Sequence, residues 1–151
     1  DTTCIARAPY LGDIVTIEKP LVLYRMHGEN DSNLLKNDQN YSREVCRAIK
    51  RLNAAQKACL MAGLSPPQRD ILFHGSHLLQ LRTASLRLTP HLHPLHEDTV
   101  FKVMLNAIQV LFSRSVEKFH FKAMVSLWSI LTIIAPFFIA KRLINYRFVK
   151  K

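Results

Sequence analysis

Pro20-Leu21-Val22-Leu23-Tyr24-Arg25-Met26-His27-Gly28-Glu29-Asn30-Asp31-Ser32 is an apolar, strand-like run that ends in a dense cluster of polar side chains. A strand that delivers Arg25, His27 and Asn30 within six residues, with Gly28 freeing the backbone to turn, gathers a cation, an imidazole and an amide at one rim. Such a rim suits an anion or a metal-diphosphate. Everything beyond it reads as helix, so the run marks the border between a β-containing end, residues 1–36, and a helical remainder.

Upstream, Asp1, Arg7, Ala8 and Gly12 lead into Ile14-Val15-Thr16-Ile17, and the whole reads D-x5-R-A-x3-G-x-I-x2-I-x2-P-L-x2-Y-R-x-H-G-x-N-x-S. This pattern resembles the C-terminal end of the catalytic domain in family 2 glycosyltransferases of the GT-A fold. It covers Asp1 to Ser32, about a fifth of the chain, with several separated positions matching in order and spacing. In that family an acidic pair stands before the Arg, and its Asp is the general base.

The resemblance therefore implies that Asp1 takes the proton from an acceptor hydroxyl as the oxygen attacks an anomeric carbon. It implies that His27 ligates a divalent ion, Mn or Mg, or donates a hydrogen bond to a leaving diphosphate. Arg25 would neutralise diphosphate charge or brace the acidic motif. Taken alone, Asp1 reads as an exposed acid and His27 as a hydrogen-bonded histidine closing a strand. Asn30 and Ser32 read as turn caps. Arg7 and Ala8 would be helix-packing positions. The expected partners are a nucleotide-sugar donor and a saccharide or lipid-linked acceptor.

The 151 residues contain no G-x-G-x-x-G, no Walker-type loop and no D-x-D, so no nucleotide cradle is recognisable in them. If the resemblance holds, the donor-binding half lies before residue 1 and the chain is a C-terminal part, inactive by itself. Cys4, Cys46 and Cys59 form no C-x-x-C pair and fit a reducing cytoplasm. The net charge of +10 calls for anionic partners. Nucleic acid is disfavoured among them, because the basic residues are not interleaved with aromatics and no binding motif is present.

Beyond an Asn- and Asp-rich exit, a helix is expected from Asn40 or Ser42, with Tyr41, Val45, Ile49, Leu52, Ala55 and Cys59 on one face and Gly63 as its C-terminal cap. The opposite face carries Arg43, Arg47, Lys50, Arg51 and Lys57, a solvated row. Ser65-Pro66-Pro67 signals a second helix, running to about Leu88 before Thr89-Pro90. Its histidines, His74 and His77, read as packing or surface residues. A third helix follows from about Glu97, with Val100, Met104, Ala107, Ile108 and Leu111 at helical steps.

Ala123 to Ala140 carries no charge. A membrane span wants about 20 such residues, and Pro136 breaks this run near its end. Arg114, Lys118 and Lys122 flank it before, and Lys141, Arg142 and Arg147 after, whereas a span shows its Lys and Arg excess on one side. A kinked amphipathic hairpin lying on an anionic membrane surface, with Trp128, Ile130, Ile133, Phe137 and Phe138 inserted, fits this pattern better.

His91-Leu92-His93-Pro94-Leu95-His96-Glu97-Asp98 offers three His and two acids within eight residues. The spacing fits neither H-E-x-x-H nor H-x-H-x-D-H, and two prolines make it a polar loop rather than a Zn site. The expected fold is mainly α: a short β segment from the end of a GT-A α/β domain (residues 1–36), a helical region (37–113) and a membrane-associated helical tail (114–151), at the cytoplasmic face of a membrane. The alternative to a glycosyltransferase part is a non-catalytic basic helical adaptor at a membrane surface.

Overall fold

The computed structural model describes residues 7–13, 15, 18–19, 37–66, 75–113 and 117–149. Among them are five helices and no strand: α1 Gln39–Met61, α2 Ser76–Leu88, α3 Val100–Phe112, α4 Phe119–Ile134 and α5 Phe137–Val149. The mainly helical expectation holds. The strand-like run at residues 20–32 lies outside the described residues, as do His74 and residues 67–73.

Several helix ends have a local chemical reason. The Asn37 side chain accepts from the Gln39 N–H at 2.9 Å, satisfying a donor that the first turn of α1 leaves open. At the other end Gly63 adopts φ 70°. This lets Leu64 N–H reach the Cys59 carbonyl at 2.8 Å and Gly63 N–H reach that of Leu60 at 3.2 Å, the paired bonds of a Schellman cap. The helix expected to run from Ser65 to Leu88 is not continuous. Gly75 is extended, with ψ 127°, and α2 starts after it; a residue with little helical preference marks the break. Thr99 Oγ1 accepts from Lys102 N–H at 3.1 Å to cap α3.

The sequence places Pro136 between α4 and α5, and the structure bends there. Its carbonyl accepts from Ile139 and Ala140 N–H at 3.0 and 2.9 Å, opening α5 as α4 closes. Trp128 Nε1 of α4 donates to the Leu143 carbonyl of α5 at 3.3 Å, fixing the two helices together.

Helix α2 is central. Leu78, Leu81, Ala84 and Leu88 pack with Tyr41 and Val45 of α1, Leu95, and Ile144 of α5. Leu79, on another side of α2, packs with Val103, Ala107 and Val110 of α3 and with Val125 and Ile133 of α4. A helix buried on nearly every side is expected to be apolar all round, yet α2 also buries Ser76, Gln80, Arg82, Thr83 and Ser85. Each of these side chains must find a partner.

The partners come from almost every other element. Arg147 Nε of α5 donates to Gln80 Oε1 at 3.0 Å, and Ser76 Oγ donates to Glu117. Thr83 Oγ1 instead bonds back within α2, to the Leu79 carbonyl at 2.8 Å, whereas Arg87 Nη2 donates to the Ala135 carbonyl at 2.6 Å. Packing chooses which helices touch, and these bonds fix their register.

Candidate functional site

The three residues that the sequence assigns to a site, Asp1, Arg25 and His27, lie outside the described residues. Arg7 is half-buried and precedes a short 3-10 turn, Ala8–Tyr10, that packs against α1; Ala8 itself is exposed. The described residues hold two other features with chemical content: a buried polar relay around α2 and an apolar outer surface on α3, α4 and α5.

The relay begins at Thr89 and ends at Asn106. Ser42 Oγ of α1 lies 2.8 Å from both Thr89 Oγ1 and Ser85 Oγ. Ser85 Oγ lies 2.8 Å from His93 Nδ1, and His93 Nε2 lies 3.1 Å from Asp98 Oδ2. Arg82 closes the line, donating through Nε to Asp98 Oδ2 at 2.8 Å and through Nη2 to Asp98 Oδ1 at 2.7 Å. Arg82 Nη2 also donates to Asn106 Oδ1 at 3.0 Å. One proton pattern runs along it: Ser42 donates to Ser85, Ser85 to His93 Nδ1, and His93 Nε2–H to Asp98, while the Thr89 hydroxyl proton is shared between Ser42 and the Ser85 carbonyl 3.3 Å away.

Burial alone would raise the Asp98 carboxyl. The hydrogen bonds from His93 and Arg82, with the positive charge beside them, outweigh it and hold the group down at about 2. On α1, burial pushes the Tyr41 phenol up to about 12, with the Asp38 carboxylate adding to the rise.

A serine, a histidine and an aspartate in sequence invite comparison with a nucleophilic triad, but the orientation and access are those of a structural bracket. Ser85 is 0% exposed, so a substrate cannot reach its Oγ. A triad sets its nucleophile against Nε2 and its acid against Nδ1, the reverse of what is found here. The relay ties the 89–99 connection to α1 and α2. His93 spends both ring nitrogens on it, while His91 and His96 are exposed. Among the described residues no group of three His, Cys, Asp or Glu is arranged to hold a metal ion. The H-rich stretch holds a short 3-10 turn, Pro90–Leu92, and gives His93 to the relay.

The second feature departs from the sequence expectation. Val100 and Ile108, expected on the packed face of α3, are 48% and 46% exposed, while Val103, Ala107 and Val110 are buried. Apolar residues occupy most of α3, so periodicity alone does not choose its inner face. On α4, Trp128 and Ile133 point inward: Trp128 meets Phe148 edge-on at 6.1 Å and Ile133 is 3% exposed. The exposed apolar side chains there are Leu127, Leu131 and Ile134, continued by Phe137 and Phe138 of α5. Among the described residues no helix is long and apolar enough to cross a membrane.

Sequence reasoning gave Arg82 no role and named Asp98 only as part of the H-rich loop. A charge inside an otherwise buried stripe was the available signal, because such a charge must be paired. Compared with known proteins, the chain matches no family model, no curated protein and no solved structure.

Proposed function

We propose that the chain is the C-terminal part of an inverting glycosyltransferase that moves a sugar from a nucleotide-sugar donor to a saccharide or lipid-linked acceptor at the cytoplasmic face of a membrane. The observation that carries this reading is the ordered motif from Asp1 through Arg7 and Tyr24-Arg25-Met26-His27-Gly28 to Ser32, which resembles family 2 catalytic domains at several separated positions in order and spacing.

In this reading the Asp1 carboxylate takes the acceptor hydroxyl proton while that oxygen bonds to the anomeric carbon. The bond from that carbon to the diphosphate breaks on the opposite face and the diphosphate departs with its electron pair. Arg25 and His27 meet the charge that develops there. Mn and Mg take mainly oxygen ligands, so His27 alone is no site for either; it fits as one nitrogen beside diphosphate and carboxylate oxygens. A bound divalent ion would supply further charge neutralisation. The helices α1–α5 would set the catalytic end against the membrane that holds a lipid-linked acceptor.

A second reading, a non-catalytic adaptor at a membrane surface, is favoured by the apolar exterior of α3–α5. Transfer assays on the intact protein carrying Asp1→Asn separate the two. The enzyme reading requires transfer by the unsubstituted protein and its loss in the variant; no transfer by either supports the adaptor.

A further inference from the structure

Four large apolar side chains of α3, Phe101, Leu105, Ile108 and Phe112, follow one another at helical steps and are 69%, 44%, 46% and 80% exposed. They form a single stripe opposite the buried Val103, Ala107 and Val110. Helix α4, which packs along α3, repeats the arrangement with Leu127, Leu131 and Ile134 opposite its own buried Val125 and Ser129. Across Pro136 come Phe137 and Phe138, also exposed. Apolar surface of this extent on neighbouring helices marks a binding face.

Charge identifies what covers it. From Thr99 to Lys151 the chain has nine Lys and Arg and a single acid, Glu117, whose carboxylate is taken up by Ser76; of the nine, Lys102 and Lys141 pair with Glu97 and Asp38, and Lys122 is buried. Lys118 ahead of α4, and Arg142 in α5, are exposed. A second copy would bring the same positive charge against itself, which opposes association. An anionic lipid surface offers apolar depth for the stripes and negative charge for the basic residues around them.

We infer that the folded α3–α4–α5 surface docks on an anionic bilayer through the outer stripes of α3 and α4 and the start of α5, lying in the headgroup region with its core intact. This deepens the membrane-surface part of the function proposed above and rests on it. It extends the contact to α3, outside the 114–151 tail, and it takes Trp128 and Ile133 out of the contact because they belong to the core.

The test is flotation of the full chain with vesicles of phosphatidylglycerol and phosphatidylcholine, against vesicles of phosphatidylcholine alone. Two variants are compared with the unsubstituted chain, Phe101→Ser with Phe112→Ser on α3 and Leu127→Ser with Leu131→Ser on α4, each checked for helix content and melting temperature. The expected result is binding to the anionic vesicles, weakened at least about tenfold by either folded variant. Binding should fall with added salt, and Trp128 emission should stay unshifted. Undiminished binding by the folded α3 variant overturns the inference, as does a large blue shift of Trp128 on binding, which would show the core opening into lipid. Absence of vesicle binding together with concentration-dependent dimerisation that the variants abolish also overturns it, in favour of a second copy. None of these readouts uses catalysis, so failure here leaves the transfer chemistry to be judged by its own assay.

Discussion

Arg82 and Asp98 meet in a two-point ion pair whose side chains are 1% and 2% exposed, the one on the central helix and the other just before α3. Two charges taken this far from water are held in place by each other.

Arg82→Met should therefore destabilise the chain by about 3–5 kcal/mol, because it leaves the Asp98 carboxylate buried with only His93 beside it. Removing both charges, with Arg82→Met and Asp98→Leu, should cost clearly less than the two single costs added together. Urea unfolding of the four proteins forms the cycle that measures this coupling. Additive costs would show that the pair is not coupled.

The same carboxylate sets an acid limit. Its folded value of about 2 lies below the ordinary carboxyl value of 3.8, so the stability it contributes is complete above that ordinary value and is lost as pH falls through about 2. The loss should amount to about 2 kcal/mol between pH 5 and pH 2, on the order expected for a shift of this size. Asp98→Asn, though less stable at neutral pH, should show a flatter stability profile across that window. Equal acid sensitivity of both proteins would place the titration elsewhere.

The inner face of α3 can be read from two truncations. Val103→Ala removes fewer atoms than Ile108→Ala but empties a fully buried site, and should cost about 2 kcal/mol. Ile108→Ala acts on a half-exposed side chain and should cost less than about 1 kcal/mol. Melting temperatures in the reverse order would return the helix to the face that its sequence spacing suggests.

In the intact protein His27→Ala should weaken metal-dependent donor binding or turnover, because it removes a nitrogen from the proposed diphosphate rim. Titration with Mn and Mg at fixed donor concentration checks this. Unchanged metal dependence with unchanged turnover would make His27 a structural residue of the strand end.

How far the sequence could be read differs from element to element. Helix α1 was legible in its existence and its end, because its apolar face is separated from a basic one and its end carries a glycine that the left-handed turn requires, but not in the burial of Ala54 and Ala58. The break at Pro136 was legible for an equally local reason. Helix α3 was legible as a helix but not in its orientation, since nearly every position is apolar and only the presence of α2 and α4 decides which side is covered. The Ser42–Ser85–His93–Asp98–Arg82 relay was not legible at all. It joins residues up to 56 positions apart, and nothing local distinguishes Ser85 from an ordinary helix serine. The candidate catalytic residues present the opposite case: their pattern is legible in sequence through resemblance, and they lie outside the described residues.

The most direct test of the account is the rate of sugar transfer by the intact protein with Asp1→Asn, measured beside its affinity for the nucleotide-sugar donor. The substitution keeps the shape of the side chain and removes the base. General-base catalysis typically contributes on the order of a hundredfold or more, so transfer should fall by at least that much while donor affinity stays within about twofold. Retention of more than about a tenth of the rate would contradict the assignment of Asp1 as the base.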